Sequence, residues 1–218
     1  MIMGSGGFAR ETYLVYVQMS DKDKVSYPEM IGFLDDDKTK VGSRVKGTDF
    51  DIFGRLEDLD YMLRKLGVEY ILPSVGSPRL KEEFTERLLK LNYKLPEDPL
   101  LHRSAVVGWS TTVGAGSIVC SHSSITCDIN IGRQVNINLN CTIGHDAIIG
   151  DFCNLSPDVN VSGYVVMGKS IDVGTGAVIL PKVTIGDGAI IGAGAVVNKD
   201  IPPGETWVGV PARPLARG

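Results

Sequence analysis

Large rings are scarce in this 218-residue chain, where Phe, Trp and Tyr make up 7% of positions. That excludes a core built around aromatic side chains. Cysteine is as sparse: Cys120, Cys127, Cys141 and Cys153 form no Cys-x-x-Cys pair and show no zinc spacing. No disulfide or metal framework is therefore expected, and the four read as small core residues. There is also no block of Lys and Arg, and the net charge is −4, so the chain lacks the electrostatic footprint of a nucleic-acid binder. No apolar run approaches the ~20 residues that a membrane-spanning helix needs, which excludes membrane insertion of that kind. The first residues, Met1-Ile2-Met3-Gly4, have neither the basic region nor the apolar stretch of a secretory signal, and the expected compartment is the cytoplasm. What is plentiful is glycine, with 26 residues, beside 43% hydrophobic positions. Such a composition asks for aliphatic side chains packed at close backbone spacing.

Charge divides the chain. Residues 1–100 carry 18 acidic and 15 basic side chains, whereas residues 101–218 carry only 8 and 7. The first segment, 1–100, alternates in type: a Gly4–Gly7 loop opening a helix to about Ser20, a strand around Met30–Leu34, helical spacing over Leu56–Leu66, and a strand around Tyr70–Val75. Ser77-Pro78 then reads as an N-cap and first-turn Pro before a helix to about Leu91, with a last short strand before Leu101. This is an α/β pattern of Rossmann-like type.

The second segment, 101–218, repeats every six residues. Each sixth position from Leu101 through Val107, Ile125, Ile143, Val161 and Ile179 to Val197 is apolar, without one polar member. At the chain's hydrophobic fraction, a run of that length arises by chance on the order of once in a hundred thousand trials. Gly often follows the aliphatic, as at 108, 114, 132, 144 and 150, and a small or β-branched residue stands two before it, as at Ala105, Ser117, Cys141 and Ala177. One short strand and one glycine bend per six residues, three strands to a coil of eighteen, make a parallel β-helix. The prolines and Trp207 within Lys199–Gly218 read as a cap that covers its last strand edge.

The pattern resembles the hexapeptide-repeat acyltransferases, which implies a left-handed coil against the usual crossover rule. A small Gly-loop α/β domain, an uninterrupted hexapeptide helix, Gly144-His145-Asp146 within it and Val208-Gly209-Val210-Pro211-Ala212 near its end resemble, more narrowly, the bacterial nucleotide-sugar N-acetyltransferases and the sialic-acid O-acetyltransferase-like proteins. That resemblance covers essentially the whole chain. It implies a nucleotide-sugar substrate on the α/β domain, acetyl-CoA as co-substrate without a metal, a homotrimer with active sites at subunit interfaces, and a general-base His beside an acid.

Individual residues can be weighed against this. Gly4-Ser5-Gly6-Gly7-Phe8-Ala9 fits Gly-x-Gly-x-x-Ala, where bare backbone at a helix N-terminus approaches a diphosphate; a glycine turn capping a helix without a ligand has the same sequence. The resemblance places Gly6, Gly7 and Phe8 near the substrate, with Phe8 where some members have a His. Asp35 and Asp36 follow an apolar strand, and either accept hydrogen bonds from a nucleotide or belong to an exposed Asp-rich turn. Leu34-Asp35-Asp36 is a feature of the family. Gly76 matches the family's strand-end Gly, and otherwise reads as a plain turn.

Of three histidines, His102 and His122 occupy different places in the repeat, and no two lie within five residues, against a trinuclear histidine site. His145 is set outward, Asp146 beside it can fix the imidazole tautomer, and Gly163, eighteen residues on, leaves space for the ring. The resemblance makes His145 the base. It also makes Asn138 a substrate-positioning residue, although Asn138 fills a slot where Gly is usual and reads equally as a left-handed turn residue. For acetyl-CoA it points to Asn154, standing where relatives have a His, and to Gly163, Thr175 and Ala193; small residues there would also simply keep coils close. Lys169, Lys182, Lys199, Arg213 and Arg217 are candidates for CoA phosphates or a solvated face. The expected activity is N-acetylation of a nucleotide-activated, UDP-linked 4-amino-4,6-dideoxy sugar. The alternatives are sugar O-acetylation and a non-catalytic trimeric sugar-nucleotide scaffold.

Overall fold

The structure, a computed structural model, describes residues 1–20, 24 and 27–215. Arg217 lies outside the described residues. The N-terminal segment contains β1 (Ile2–Met3), α1 (Gly7–Val17), β2 (Phe33–Leu34), β3 (Ile52–Gly54), a 3-10 turn at Leu56–Asp58 running into α2 (Leu59–Leu66), β4 (Leu72–Pro73) and α3 (Pro78–Lys90). The four strands form one sheet in the order β3-β2-β1-β4, parallel throughout, with Ile2 opposite both Phe33 and Leu72. The chain grows from β1 to one side, then returns to the other side as β4. Such a reversal opens a crevice at the carboxyl ends of the strands, where the Gly4–Gly7 loop, Asp35 and Ser74–Gly76 all lie. At the head of α3 the Ser77 hydroxyl accepts from the Leu80 N–H at 3.4 Å, Pro78 occupies the first turn, and Arg87 and Lys90 stand in the last turn, as capping and the helix dipole favour.

The expected last α/β strand does not form as such. Lys94 makes only a bridge to Tyr70, and the strand Leu100–Leu101 pairs instead with Ile118–Val119 as the first rung of the coil. From there the chain winds as a left-handed parallel β-helix with two-residue strands at an eighteen-residue offset, as in Ile131 opposite Ile149 and Ile149 opposite Met167. A first face carries the strands at 100, 118, 136, 154, 172 and 190, a second those at 106, 124, 142, 160, 178 and 196, and a third those at 112, 130, 148, 166 and 184. The inward residue of each pair stacks on its equivalents, so that Ile125, Ile137, Ile143, Leu155, Val173 and Ile179 are fully buried in one continuous core. The final coil is shorter. Thr206–Val208 pairs with Ile190–Ile191 after sixteen residues, and Arg213–Pro214 folds back antiparallel on it, closing the edge.

The bend corrects two sequence expectations. Glycine in the slot after the aliphatic does not take a left-handed conformation. It is needed because the next coil passes too close for a side chain: a Cβ on Gly144 would lie 2.6 Å from the Gly163 nitrogen, and one on Gly174 would lie 2.5 Å from the Ala193 nitrogen. The left-handed residue comes two places later, at Ser110, Gly116, His122, Asp128, Gln134, Asn140, Asp146 and every sixth residue on to Gly194. Asn138 is therefore not a left-handed turn residue. Cys120, Cys141 and Cys153 are buried, but Cys127 is half-buried at a corner rather than in the core.

The α/β domain packs on the first face. Val15, Met19 and Leu72 bury Leu100, Ile118 and Cys120, with Phe8 and Tyr16 against them. On α3 the fully buried Lys81 donates from Nζ to the carbonyls of Gln134 (2.8 Å) and Cys153 (3.3 Å). Desolvation lowers its pKa to about 7, against the opposing pull of Cys153 and Asp172. Among the described residues no helix is long and apolar enough to cross a membrane.

Candidate functional site

The crevice is built around the Gly loop. Gly4 has φ +110°, and a Cβ there would lie 2.9 Å from the Ser74 carbonyl, so the close turn requires Gly. Gly6 and Gly7 differ: a Cβ at either would meet nothing within 4 Å. They leave open space at the start of α1, whose N-cap Gly6 offers no side chain to the first-turn N–H groups. Those donors face the crevice, where an anion is the natural partner. Asp35 ties the loop to β2, accepting from the Ser5 N–H (3.1 Å) and hydroxyl, the Asp37 N–H (3.0 Å) and Lys40 (3.3 Å). Partial burial pushes its carboxyl up, but the Ser5, Asp37 and Lys40 donors outweigh that and hold it below the ordinary range. Asp36 accepts from the Leu56 N–H at 3.1 Å and so caps the turn after β3. Gly76 is exposed at the end of β4, and a Cβ there would meet nothing within 4 Å. Phe8 is half-buried, packed against the seam with the β-helix.

His145 stands at the corner between the second and third faces, just after the strand Thr142–Ile143. Its Nδ1 donates to Asp146 Oδ2 at 2.7 Å, and a carboxylate on Nδ1 leaves Nε2 as the lone-pair nitrogen. Nε2 has no partner among the described residues. The ring lies over Gly163: a Cβ there would come within 2.8 Å of Nε2 and 2.9 Å of Cε1. Tyr164 meets the same ring edge-on, with centroids 5.1 Å apart and planes at 89°. The His145 side chain is 54% exposed, so the ring edge that carries Nε2 is open to whatever binds at the corner.

His145, Asp146 and Gly163 thus form one cluster. The other expected site residues lie elsewhere in the chain. Asn138 follows a first-face strand, its Oδ1 accepting from the Leu139 N–H at 2.8 Å. Thr175 and Ala193 are exposed one coil apart at that same corner between the first and second faces. Asn154 is buried on the first face and donates to Asp172 at 2.9 Å. His102 ties the α/β domain to the coil through Gln18 Oε1 at 2.6 Å and meets Ser104 at 2.8 Å, and burial lowers its pKa, helped by Arg103 and His122. Among the described residues no three His, Cys, Asp or Glu side chains are grouped to hold a metal. Sequence reading missed Tyr164 and Lys81. Tyr164 had a usable signal, an aromatic residue one coil beyond Asp146, whereas Lys81 lies in a Lys-Glu-Glu stretch that looks like a solvated helix face.

Residues 164–199 match the family of bacterial transferase hexapeptide repeats. Over nearly its whole length the chain is similar to solved structures that include acetyltransferases. The acetyltransferase domain of PglB from Neisseria gonorrhoeae is 32% identical with a TM-score of 0.84, covering 98% of both chains. A His-to-Asn variant of perosamine N-acetyltransferase from Caulobacter crescentus, in complex with CoA and GDP-perosamine, is 29% identical with a TM-score of 0.87, covering 99% of this chain and 96% of that one. WeeI from Acinetobacter baumannii is 26% identical with a TM-score of 0.83, covering 98% of both. A 38-residue stretch, 17% of this chain, is 55% identical to an acetyltransferase-like protein of Schizosaccharomyces pombe and spans 18% of that protein.

Proposed function

We propose, on the ground that this chain belongs to the hexapeptide-repeat sugar N-acetyltransferases and is an acyltransferase, that it transfers the acetyl group of acetyl-CoA to the amino group of a nucleotide-activated sugar, UDP-linked in our reading, with His145 as general base. The observation that carries this is the His145 ring itself: Nδ1 held by Asp146 at 2.7 Å, Nε2 without a partner among the described residues, and the imidazole lying over Gly163 at an exposed corner. Solved relatives hold acetyl-CoA in PglB and CoA with GDP-perosamine in the Caulobacter enzyme, which supports the same pair of substrate classes here.

The chemistry needs few groups. The neutral sugar amine attacks the thioester carbonyl and forms the C–N bond, while Nε2 of His145 takes the proton that the nitrogen sheds. The C–S bond then breaks, and the thiolate leaves with a proton returned from the imidazolium. The Gly163 N–H, which has no partner among the described residues, is a candidate backbone donor for the developing oxyanion. Much of the rate then comes from holding amine and thioester in register.

The loop at Gly6 and Gly7 would take the diphosphate of the nucleotide sugar, with Asp35 keeping the loop in place. His145 and the Thr175–Ala193 corner lie at opposite edges of the second face, so an acetyl-CoA held between two copies could touch His145 of one and the Thr175–Ala193 corner of the other. That geometry supports the homotrimer with interfacial sites. His145→Ala is expected to keep fold and assembly and lose about 10²–10⁴-fold in kcat; wild-type turnover in that variant refutes the base. Co-assembling His145→Ala chains with Ala193→Trp chains should restore about a quarter of the sites if each is shared between copies, and no recovery refutes sharing. A screen of UDP-, dTDP- and GDP-amino sugars and their hydroxy counterparts against acetyl-CoA, read by free thiol, decides the nucleotide and N- against O-transfer. Saturable nucleotide binding without acetyl-CoA binding would leave a scaffold.

A further inference from the structure

We infer that Tyr164 is a positioning residue for His145, whose ring it holds over Gly163 and against Asp146. The inference rests on the reading of His145 as the base. Tyr164 occupies the left-handed corner slot one coil beyond Asp146, with φ 62°. An L-residue in that conformation crowds its Cβ against the following carbonyl, and a bulky ring has no short polar group to compensate locally. Most equivalent slots hold Gly, Asp, Asn or Ser, and Phe152 is the other large hydrophobic ring among them.

The two rings have different surroundings. Phe152 is buried, with the Arg133 guanidinium over its ring at 5.6 Å, so packing accounts for it. Tyr164 is 51% exposed, and its ring contact is His145, edge-on at 5.1 Å. The backbone bond from the Tyr164 N–H to the His145 carbonyl (3.0 Å) has its counterpart one coil on, from the Lys182 N–H to the Gly163 carbonyl. The coil therefore does not need a tyrosine there. What the ring adds is a wall. A half-exposed imidazole otherwise exchanges rotamers rapidly, and here Asp146 holds one nitrogen, Gly163 forms the floor and Tyr164 closes a flank, leaving one orientation for Nε2.

The test compares Tyr164→Gly, Tyr164→Phe and His145→Ala in the intact assembly. Glycine suits φ 62°, so Tyr164→Gly is expected to hold or raise Tm and keep the native mass, while kcat falls about 10- to 100-fold and both KM values stay within about twofold. Tyr164→Phe keeps the wall and should remain within about threefold of wild-type kcat. Unchanged kcat in Tyr164→Gly overturns the inference, as does a loss that tracks a lower Tm or altered mass. So does a Tyr164→Phe as slow as the glycine variant, because the hydroxyl rather than the wall would then be acting. If His145→Ala is slow and Tyr164→Gly is not, only this inference fails. If His145→Ala is fast, the base reading fails with it.

Discussion

Replacing Gly163 by Ala puts a methyl group where the His145 ring lies. The three nearest atoms to that methyl would be His145 Nε2 at 2.8 Å, Cε1 at 2.9 Å and Cδ2 at 3.2 Å. Ordinary contact begins near 3.4 Å, so the ring must lift by about 0.6 Å or swing out and break its 2.7 Å bond to Asp146. Gly163 does not have a positive φ, so Ala costs nothing in the backbone. The imidazole and its carboxylate are about half exposed, and an exposed pair of this kind contributes only about 0–1 kcal/mol. Stability should therefore change little. A base misplaced by a sizeable fraction of an ångström should cost about 10- to 100-fold in kcat, or about 1.4–2.7 kcal/mol of transition-state stabilisation. Gly174→Ala is the control, because its methyl would meet the backbone of the next coil, with the Ala193 nitrogen at 2.5 Å and the Gly192 carbonyl carbon at 2.9 Å. That collision must force neighbouring rungs apart and should lower Tm well beyond any change in Gly163→Ala. Thiol release from acetyl-CoA with the best nucleotide sugar, beside thermal unfolding of both variants, separates the two effects. Wild-type kcat in Gly163→Ala, or a Tm loss as large as that of Gly174→Ala, refutes the reasoning.

The Lys81 ammonium is buried with its pKa lowered to about 7 by desolvation. Its charging cost is therefore present in full below that pH and is relieved as pH rises toward the ordinary Lys value of 10.5. Urea midpoints should show wild type gaining on Lys81→Met between about pH 6.5 and 8.5, and a flat difference over that range refutes the buried charge. Asp35→Ala removes the acceptor that ties Ser5 to β2 and should raise the KM for the nucleotide sugar about tenfold with that for acetyl-CoA unchanged; an equal rise in both points to general unfolding instead. Because Asp35 is held below the ordinary carboxylate range, its stabilising contribution is present above about pH 4 and lost as pH falls further. The stability gap between wild type and Asp35→Asn should close there.

The coil was legible because burying one side chain per two-residue strand forces an apolar residue into every sixth position, and nothing in the chain interrupts it. The bend was legible only in part. Glycine after the aliphatic marks where a Cβ would lie within 1.9–2.7 Å of the next coil, and sequence cannot distinguish that close approach from a left-handed φ. The left-handed slot itself accepts Ser, His, Gln, Phe, Tyr and Lys besides Gly, Asn and Asp, which dilutes its signal. In the α/β domain, β3 is three residues long, too short to show alternation. The seam between the domain and the coil was hidden because the outward residues of the first face pass from the apolar Leu100 and Ile118 to the polar Asn136, Asn154 and Asp172, which share no residue type to mark one buried surface. For the site, His145 and Gly163 are eighteen residues apart and hence one coil apart, so their contact followed from the period. Thr175, Ala193 and Asn154 came from family resemblance, which names residues without saying that they occupy other regions of the coil.

The low charge of residues 101–218 now has a spatial reading. Between Trp109 and Ala193, the outward corner position two residues past the aliphatic is charged at one of the three corners: Arg133, Asp151, Lys169 and Asp187 stand between the third and first faces. Those charges are used along the coil axis. Asp151 accepts from the Arg133 N–H and Asp187 from the Lys169 N–H, each at 2.9 Å, and Lys169 pairs with Glu82 of α3 at 3.3 Å. The equivalent position at the His145 corner holds Trp109, Cys127, His145, Gly163 and Pro181, and at the corner before the second face it holds Ser121, Leu139, Pro157, Thr175 and Ala193. The second face between them presents Val106, Ser124, Thr142, Asn160, Val178 and Val196. Burying charge against a partner is costly unless each charge is paired; the outward strand residues of this face carry none, and the charges that border it, Asp128, Asp146, Asp158 and Lys182, stand in the next corner slots, where a partner must pair them or leave them solvated. It is also the face whose two edges carry the proposed base and the proposed cofactor contacts. The uncharged strands of this face and the division of the proposed site between its two corners thus favour the same surface, the one that the proposed homotrimer would cover.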